Sequence, residues 1–125
     1  MKSATVLTTL GAILSFGAQT VVSTCYKSGD DLPDKAQAIA FITDACRGNN
    51  GMFTGAFGPL QTKSMCPNSH GVNILFEVQN LNGVGNYDLD DNECITRLGN
   101  EINACSRGGE STIASWRFRV DPGNC

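Results

Sequence analysis

Six cysteines, Cys25, Cys46, Cys66, Cys94, Cys105 and Cys125, are spread along a chain of 125 residues, no two closer than eleven positions. That spacing excludes a Cys-x-x-Cys metal site, and the single histidine, His70, excludes any site built on two imidazoles. An even set of distant cysteines in a small chain reads as a disulfide framework of three bridges, provided the chain passes through an oxidising compartment. Each bridge would stabilise the fold by roughly 2–4 kcal/mol, a useful supplement for a core this small. Spacing alone does not choose among the pairings.

The start of the chain supplies the oxidising route. Lys2 precedes a charge-free run of small and apolar residues, Ala4 to Phe16. Val21 and Ser23 are small enough for the −3 and −1 positions of a signal-peptidase site, so residues 1–23 read as a secretory leader cut between Ser23 and Thr24. Thr8, Thr9, Gly11, Ser15 and Gly17 interrupt the run, whereas a membrane-spanning helix needs about 18 or more apolar residues in succession. Removing residues 1–23 takes away Lys2 and no acidic residue. The remaining 102 residues, 24–125, carry 8 Lys+Arg against 12 Asp+Glu, a net charge of −4. An acidic chain of this kind is a poor partner for nucleic acid or an anionic membrane surface. With 41% apolar and 17% charged residues the chain is too hydrophobic to be disordered, and its length allows one domain.

Two segments carry helical periodicity. Asp30-Asp31-Leu32-Pro33-Asp34 predicts a helix start with a proline in the first turn, and Ala38, Ile39, Ile42, Ala45 and Cys46 form its inward stripe. Arg47-Gly48 predicts its end, with the glycine as a left-handed cap. Asp90-Asp91-Asn92-Glu93 predicts the second helix, with Cys94, Ile95, Leu98, Ile102 and Cys105 inward and Gly108-Gly109 as its stop. Elsewhere the period is two. Val72, Ile74, Phe76 and Val78 alternate with Asn73, Leu75, Glu77 and Gln79, and Trp116, Phe118 and Val120 alternate with Ser115, Arg117 and Arg119. Met52–Phe57 and Leu60–Met65, flanking Gly58-Pro59, predict a hairpin, and Tyr26 beside Cys25 predicts a short strand. The expected fold is α+β: a two-layer α/β sandwich with two helices on one face of an antiparallel sheet, stapled by disulfides.

Catalytic patterns fare poorly against plainer readings. Asp88-x-Asp90-x-Asn92 matches the first ligand positions of a calcium loop, but Glu93 stands where its glycine should be and Gly99 where its bidentate glutamate should be. A helix N-cap accounts for the same residues. His70 lies in a turn-like Pro67-Asn68-Ser69-His70-Gly71, and no Gly-x-Ser-x-Gly elbow surrounds Ser64 or Ser69. Most acidic residues sit at helix starts, and Glu77 has no evident acidic partner for glycoside hydrolysis. Neither an enzyme nor a cofactor or metal site is expected. What remains is the outward sheet face. Asn73, Glu77, Gln79, Arg117 and Arg119 would line it if the two strands are neighbours, and the loop residue Tyr87 adds an exposed aromatic. Amides, a carboxylate and guanidinium forks on a rigid sheet are what a hydroxyl-rich ligand requires. Trp116 is assigned to the core by its companions Phe118 and Val120, and the apolar Leu75 on the polar face hints at a second copy. On this reading Arg117→Ala or Glu77→Ala should weaken ligand binding while changing stability by only about 0.5 kcal/mol, and a large destabilisation would mean that the face is buried instead.

Cys105-Ser106-Arg107-Gly108-Gly109-Glu110-Ser111-Thr112, followed by Ser115-Trp116-Arg117-Phe118-Arg119-Val120-Asp121-Pro122 and Cys125, resembles the small secreted fungal glycan-binding proteins of the ink-cap mushroom type. Asp90–Cys94 with Leu98, and Cys25-Tyr26-x-Ser28-Gly29, are similar too. The resemblance implies an α/β sandwich that binds glycans or glycoproteins on another organism's cell surface, without catalysis, as a dimer joined edge to edge. A more distant likeness, in cysteine order, is to the killer toxin of smut fungi. Carried over by position, it implies the pairs Cys46–Cys94, Cys25–Cys105 and Cys66–Cys125. The expected function is therefore that of a secreted lectin-like protein. The alternative is a toxin-like or host-directed effector binding a protein or ion channel.

Overall fold

A computed structural model describes residues 23–125, so the expected leader lies outside the described residues except for Ser23. Ten elements follow in order: β1 (Thr24–Cys25), α1 (Lys35–Arg47), β2 (Ala56–Phe57), β3 (Thr62–Met65), β4 (Asn68–Ser69), β5 (Val72–Asn80), β6 (Tyr87–Asp88), α2 (Asp91–Ala104), β7 (Gly109–Ile113) and β8 (Trp116–Pro122). The main antiparallel sheet runs β1-β7-β8-β5-β3, with β4 pairing the far end of β5. The fold is α+β, as the alternation and the helical stripes imply.

Both layers meet where the periodicity requires. Ile74, Phe76 and Val78 from β5 and Phe118 and Val120 from β8 are buried against Ala38, Ile42 and Ala45 of α1 and Leu98 and Ile102 of α2. At roughly 25 cal/mol per Å² of apolar area removed from water, this one contiguous cluster supplies the main stabilising contribution. Three disulfides join distant parts: Cys46–Cys94 ties α1 to α2, Cys25–Cys105 ties β1 to the end of α2, and Cys66–Cys125 ties the edge of the sheet to the last residue. These are the pairs implied by the cysteine order of the killer toxin.

Several local expectations are corrected. The first helix begins at Lys35, with Asp34 as N-cap accepting from the Gln37 N–H; Pro33 therefore lies ahead of the first turn. Gly48 is extended, at φ −64°, and is not a left-handed cap. It is small for another reason: a Cβ there would lie 2.6 Å from the Asp44 carbonyl oxygen. The predicted hairpin does not form. Ala56–Phe57 pairs with Tyr87–Asp88 as a separate ribbon, while Thr62–Met65 pairs with β5 as an edge strand. A buried asparagine draws the segment away, because Asn80 Nδ2 donates to the Gly58 carbonyl at 2.9 Å. The second helix stops at Ala104, before the glycine pair, and Gly109 opens a strand.

Two turns set the strands in register. His70 and Gly71 both have positive φ (50° and 86°), as do Ala114 and Ser115 (51° and 66°). Two such residues in succession match the twist of a two-residue hairpin. The second turn places Gly109–Ile113 beside Trp116–Val120, so the glycine-pair motif and the tryptophan motif become neighbouring strands.

Candidate functional site

Residues directly opposite in an antiparallel ladder share a face. Across the strands, Glu110 of β7 faces Arg119 of β8, Arg119 faces Glu77 of β5, and Glu77 faces Ser64 of β3. One row along, Thr112 faces Arg117, Arg117 faces Gln79, and Gln79 faces Thr62. The sheet thus presents an outward field of hydroxyls, carboxylates and guanidiniums, opposite the helix-covered core.

Arg119 is the hub. Its Nε donates to the Tyr26 hydroxyl at 3.1 Å, Nη1 to Glu77 Oε1 at 3.2 Å, and Nη2 to Asp121 Oδ2 at 2.7 Å. Arg117 donates through Nε to Glu110 at 3.2 Å and lies 3.6 Å from the same Glu77 oxygen. The circuit closes where the Tyr26 hydroxyl donates to Glu110 Oε1 at 3.0 Å. The side chains are half-buried; Glu77 and Asp121 retain 19% and 16% exposure. Burial and the hydrogen bond to Glu110 push the Tyr26 hydroxyl up to about 12. Burial alone would raise the Glu110 carboxyl, but hydrogen bonds from Arg117 and Tyr26 hold it below the usual range. Likewise burial would lower Arg119, and its interactions with Asp121 and Tyr26 together outweigh that and raise it. Every charge here has an opposite charge within reach, so the network is a pre-formed, ionised surface.

The network borders a cleft of about 360 Å³ lined by Tyr26, Lys27, Asp30, Asp121 and Asn124 among others. Asn124 Nδ2 donates to Asp121 Oδ2 at 2.8 Å, and both residues line this space with their second oxygens free of protein hydrogen bonds among the described residues.

Of the residues singled out from sequence, Glu77, Gln79, Arg117 and Arg119 share the open face. Gln79 is tied to its rim, donating to the Leu60 carbonyl at 3.2 Å. Asn73 lies at the far end of β5, where its side chain accepts from Asn68 at 3.0 Å. Tyr87 is exposed but belongs to the separate ribbon with β2, apart from the network. Leu75 faces Asp121 and is half-buried; among the described residues the large apolar side chains that are exposed are Met52, Leu60, Val84 and Tyr87. Glu77 accepts from Arg119 and forms a longer ion pair with Arg117 at 3.6 Å, so its removal should cost more than the roughly 0.5 kcal/mol of an ordinary surface site. Trp116 packs edge-on against Phe57 with ring centres 5.0 Å apart, in keeping with a core role.

The weaker candidates have local roles. Asp90 caps α2, accepting from the Asn92 and Glu93 N–H groups, and Asn92 accepts from Arg47. His70 Nε2 lies 3.3 Å from Asp34, joining the β4–β5 turn to the start of α1. The Gln37 N–H and then His70 hold the Asp34 carboxyl below its usual value.

Tyr26, Glu110 and Asp121 were not among the sequence candidates. Their signal was present in the motifs but not in any alternation long enough to read. Among the described residues, no helix is long and apolar enough to cross a membrane. No protein-family model matches the chain, and no curated protein is similar to it.

Proposed function

We propose that this chain is a secreted carbohydrate-binding protein that recognises glycans on another organism's cell surface without breaking a bond. The observation that carries the reading is the open sheet face: three carboxylates, two guanidiniums and a phenol are held in fixed geometry by one another, beside a polar cleft. Sugar hydroxyls both donate and accept, so they bind best where both kinds of partner are pre-oriented and already desolvated in part. Guanidinium groups supply the unused donors, Asp121 and Asn124 supply acceptors, and the Tyr26 ring supplies an apolar wall for a pyranose face. Three disulfides in a small chain accord with secretion. Weak binding at each site would gain from a second copy, because linked sites add avidity without new contacts.

A glycan array probed with the secreted protein tests this. Selective signal is expected within fucosylated, N-acetylhexosamine or mannose glycans, and its loss in Arg117→Ala. Flat signal across the array would refute the reading. A second reading, an effector or toxin acting on a protein target, draws support from the bridge joining the end of α1 to the start of α2, which the killer-toxin likeness implies. Growth inhibition of a rival fungus, or cell death in plant leaf, that free sugar does not relieve would favour it.

A further inference from the structure

Glu101 is the one acidic side chain in the core of the described residues. It sits in α2 with 0% exposure, on the side away from the polar sheet face. One oxygen, Oε2, accepts from Ser111 of β7 at 2.8 Å and from Ser23 at 3.0 Å. The other, Oε1, is buried with no hydrogen-bond partner among the described residues. A buried carboxylate left half-satisfied is costly, and no cation pairs with it among the described residues: the one charge that acts on it is the Glu110 carboxylate, itself engaged with Arg117 on the open face.

Ser23 and Thr24 flank the expected leader cut. Thr24 is fixed in place: it faces Glu110 in the ladder, and Cys25 beside it is bridged to Cys105 at the end of the helix that bears Glu101. Only a few covalent bonds separate the Thr24 nitrogen from the Ser23 hydroxyl that already touches the carboxylate. Cutting there removes that hydroxyl and turns the neighbouring amide nitrogen into an ammonium. We infer that Glu101 is a receptor for the new N-terminus: leader removal places the Thr24 α-ammonium in the pocket vacated by Ser23, as ion-pair partner of the Glu101 carboxylate. The ammonium has three N–H donors. One continues the ladder toward Glu110, and two remain for the Glu101 oxygens, including the orphaned Oε1. Before cleavage the carboxylate has only serine hydroxyls, and burial pushes its carboxyl up. After cleavage it has a cation. The mature fold is thereby locked by its own processing, and this holds whether or not the sheet face binds glycans.

The test begins with the intact mass of the secreted protein, which should correspond to a chain starting at Thr24; any other start overturns the inference. The α-amine of that protein should react with an amine-selective reagent at pH 7.5 about tenfold more slowly when native than in urea, since an ion pair holds the proton on a group that otherwise titrates near pH 8. In Glu101→Gln the protection should vanish. Equal rates in the native wild type, or protection that survives Glu101→Gln, overturn it. Should that variant fail to fold, acetylating Thr24 of the wild type serves instead. A fall in melting temperature of roughly 5 °C is expected, and an unchanged melting temperature refutes the ion pair.

Discussion

Replacing Arg119 with alanine removes three hydrogen bonds at once, to Tyr26, Glu77 and Asp121. The structure places the cost between two limits. Exposed ion pairs contribute about 0.2–1 kcal/mol each, whereas hydrogen bonds to charged groups in drier sites contribute about 1.5–3 kcal/mol. Arg119 is 23% exposed, and its partners Glu77 and Asp121 are 19% and 16% exposed, so each bond belongs nearer the lower limit. The partners are also not left bare: Asp121 keeps the Asn124 amide, Tyr26 keeps Glu110, and Glu77 keeps Arg117 at 3.6 Å. The expected loss is about 2 kcal/mol, which for a domain of this size lowers the melting temperature by roughly 10 °C. Arg117→Ala, which removes one good bond and one long contact, should cost only about 1 kcal/mol. Urea unfolding followed by Trp116 emission suits the measurement, since that ring packs against Phe57 on the opposite side of the sheet from the network. Molar salt should shrink both losses, because screening then acts within about 3 Å. Arg119→Lys should recover part of the loss, as an ammonium cannot reach three partners in the manner of the guanidinium fork. The order of the two variants tests the argument. If Arg119→Ala costs less than Arg117→Ala, or under about 0.5 kcal/mol, the hub does not exist as described.

Gly109→Ala should destabilise by at least about 2 kcal/mol, because a Cβ there would lie 2.5 Å from the Thr24 carbonyl oxygen and 3.0 Å from Cys105 Sγ; a fully stable variant in thermal unfolding would contradict this. In a Tyr87→Phe background Tyr26 is the only tyrosine, and its absorbance should titrate near pH 12. Because the folded state holds that proton more tightly, the stability it contributes is complete below pH 10 and is lost as pH rises from 10 to 12; unfolding midpoints that stay level across that window would argue against it. Replacing both Cys46 and Cys94 by alanine frees a loop of 48 residues and should cost about 4 kcal/mol by chain entropy; a loss under about 1 kcal/mol by denaturant titration would show that the packing of α1 on α2 holds without the bridge.

Alternation in a sequence is legible in proportion to the length over which it is sustained. Val72–Asn80 and Trp116–Pro122 run for 9 and 7 residues, so their inner and outer faces could be assigned, and both helices show their apolar stripes over 13 and 14 residues. Glu101 is the exception in the second stripe, since a carboxylate at a core position follows from its partners Ser23 and Ser111, which lie in other elements. The short pairings β1–β7 and β2–β6, two residues each, leave no period to read.

Gly108-Gly109-Glu110-Ser111-Thr112 shows why half of the candidate site stayed hidden. Two adjacent glycines read naturally as the end of a helix, yet both are set by close approach. A Cβ on Gly108 would lie less than the minimum contact distance from the Val120 carbonyl oxygen, and one on Gly109 would strike the Thr24 carbonyl oxygen. Beyond them the next three residues alternate faces: Glu110 and Thr112 face outward into the network, while Ser111 points inward to Glu101. The motif therefore builds the seam between β1, β7 and β8 with three of its five positions and presents side chains to solvent with two. Tyr26, brought alongside Glu110 by that seam, is separated from it by 84 positions in sequence and could be placed only once the strands were paired. It follows that a chain sharing this motif shares the packing of its first strand before it shares a ligand. Under the proposed glycan reading, residues that would distinguish one ligand from another are then to be sought at Tyr26, Asp30 and Asn124 around the cleft, where neither glycine constrains the choice.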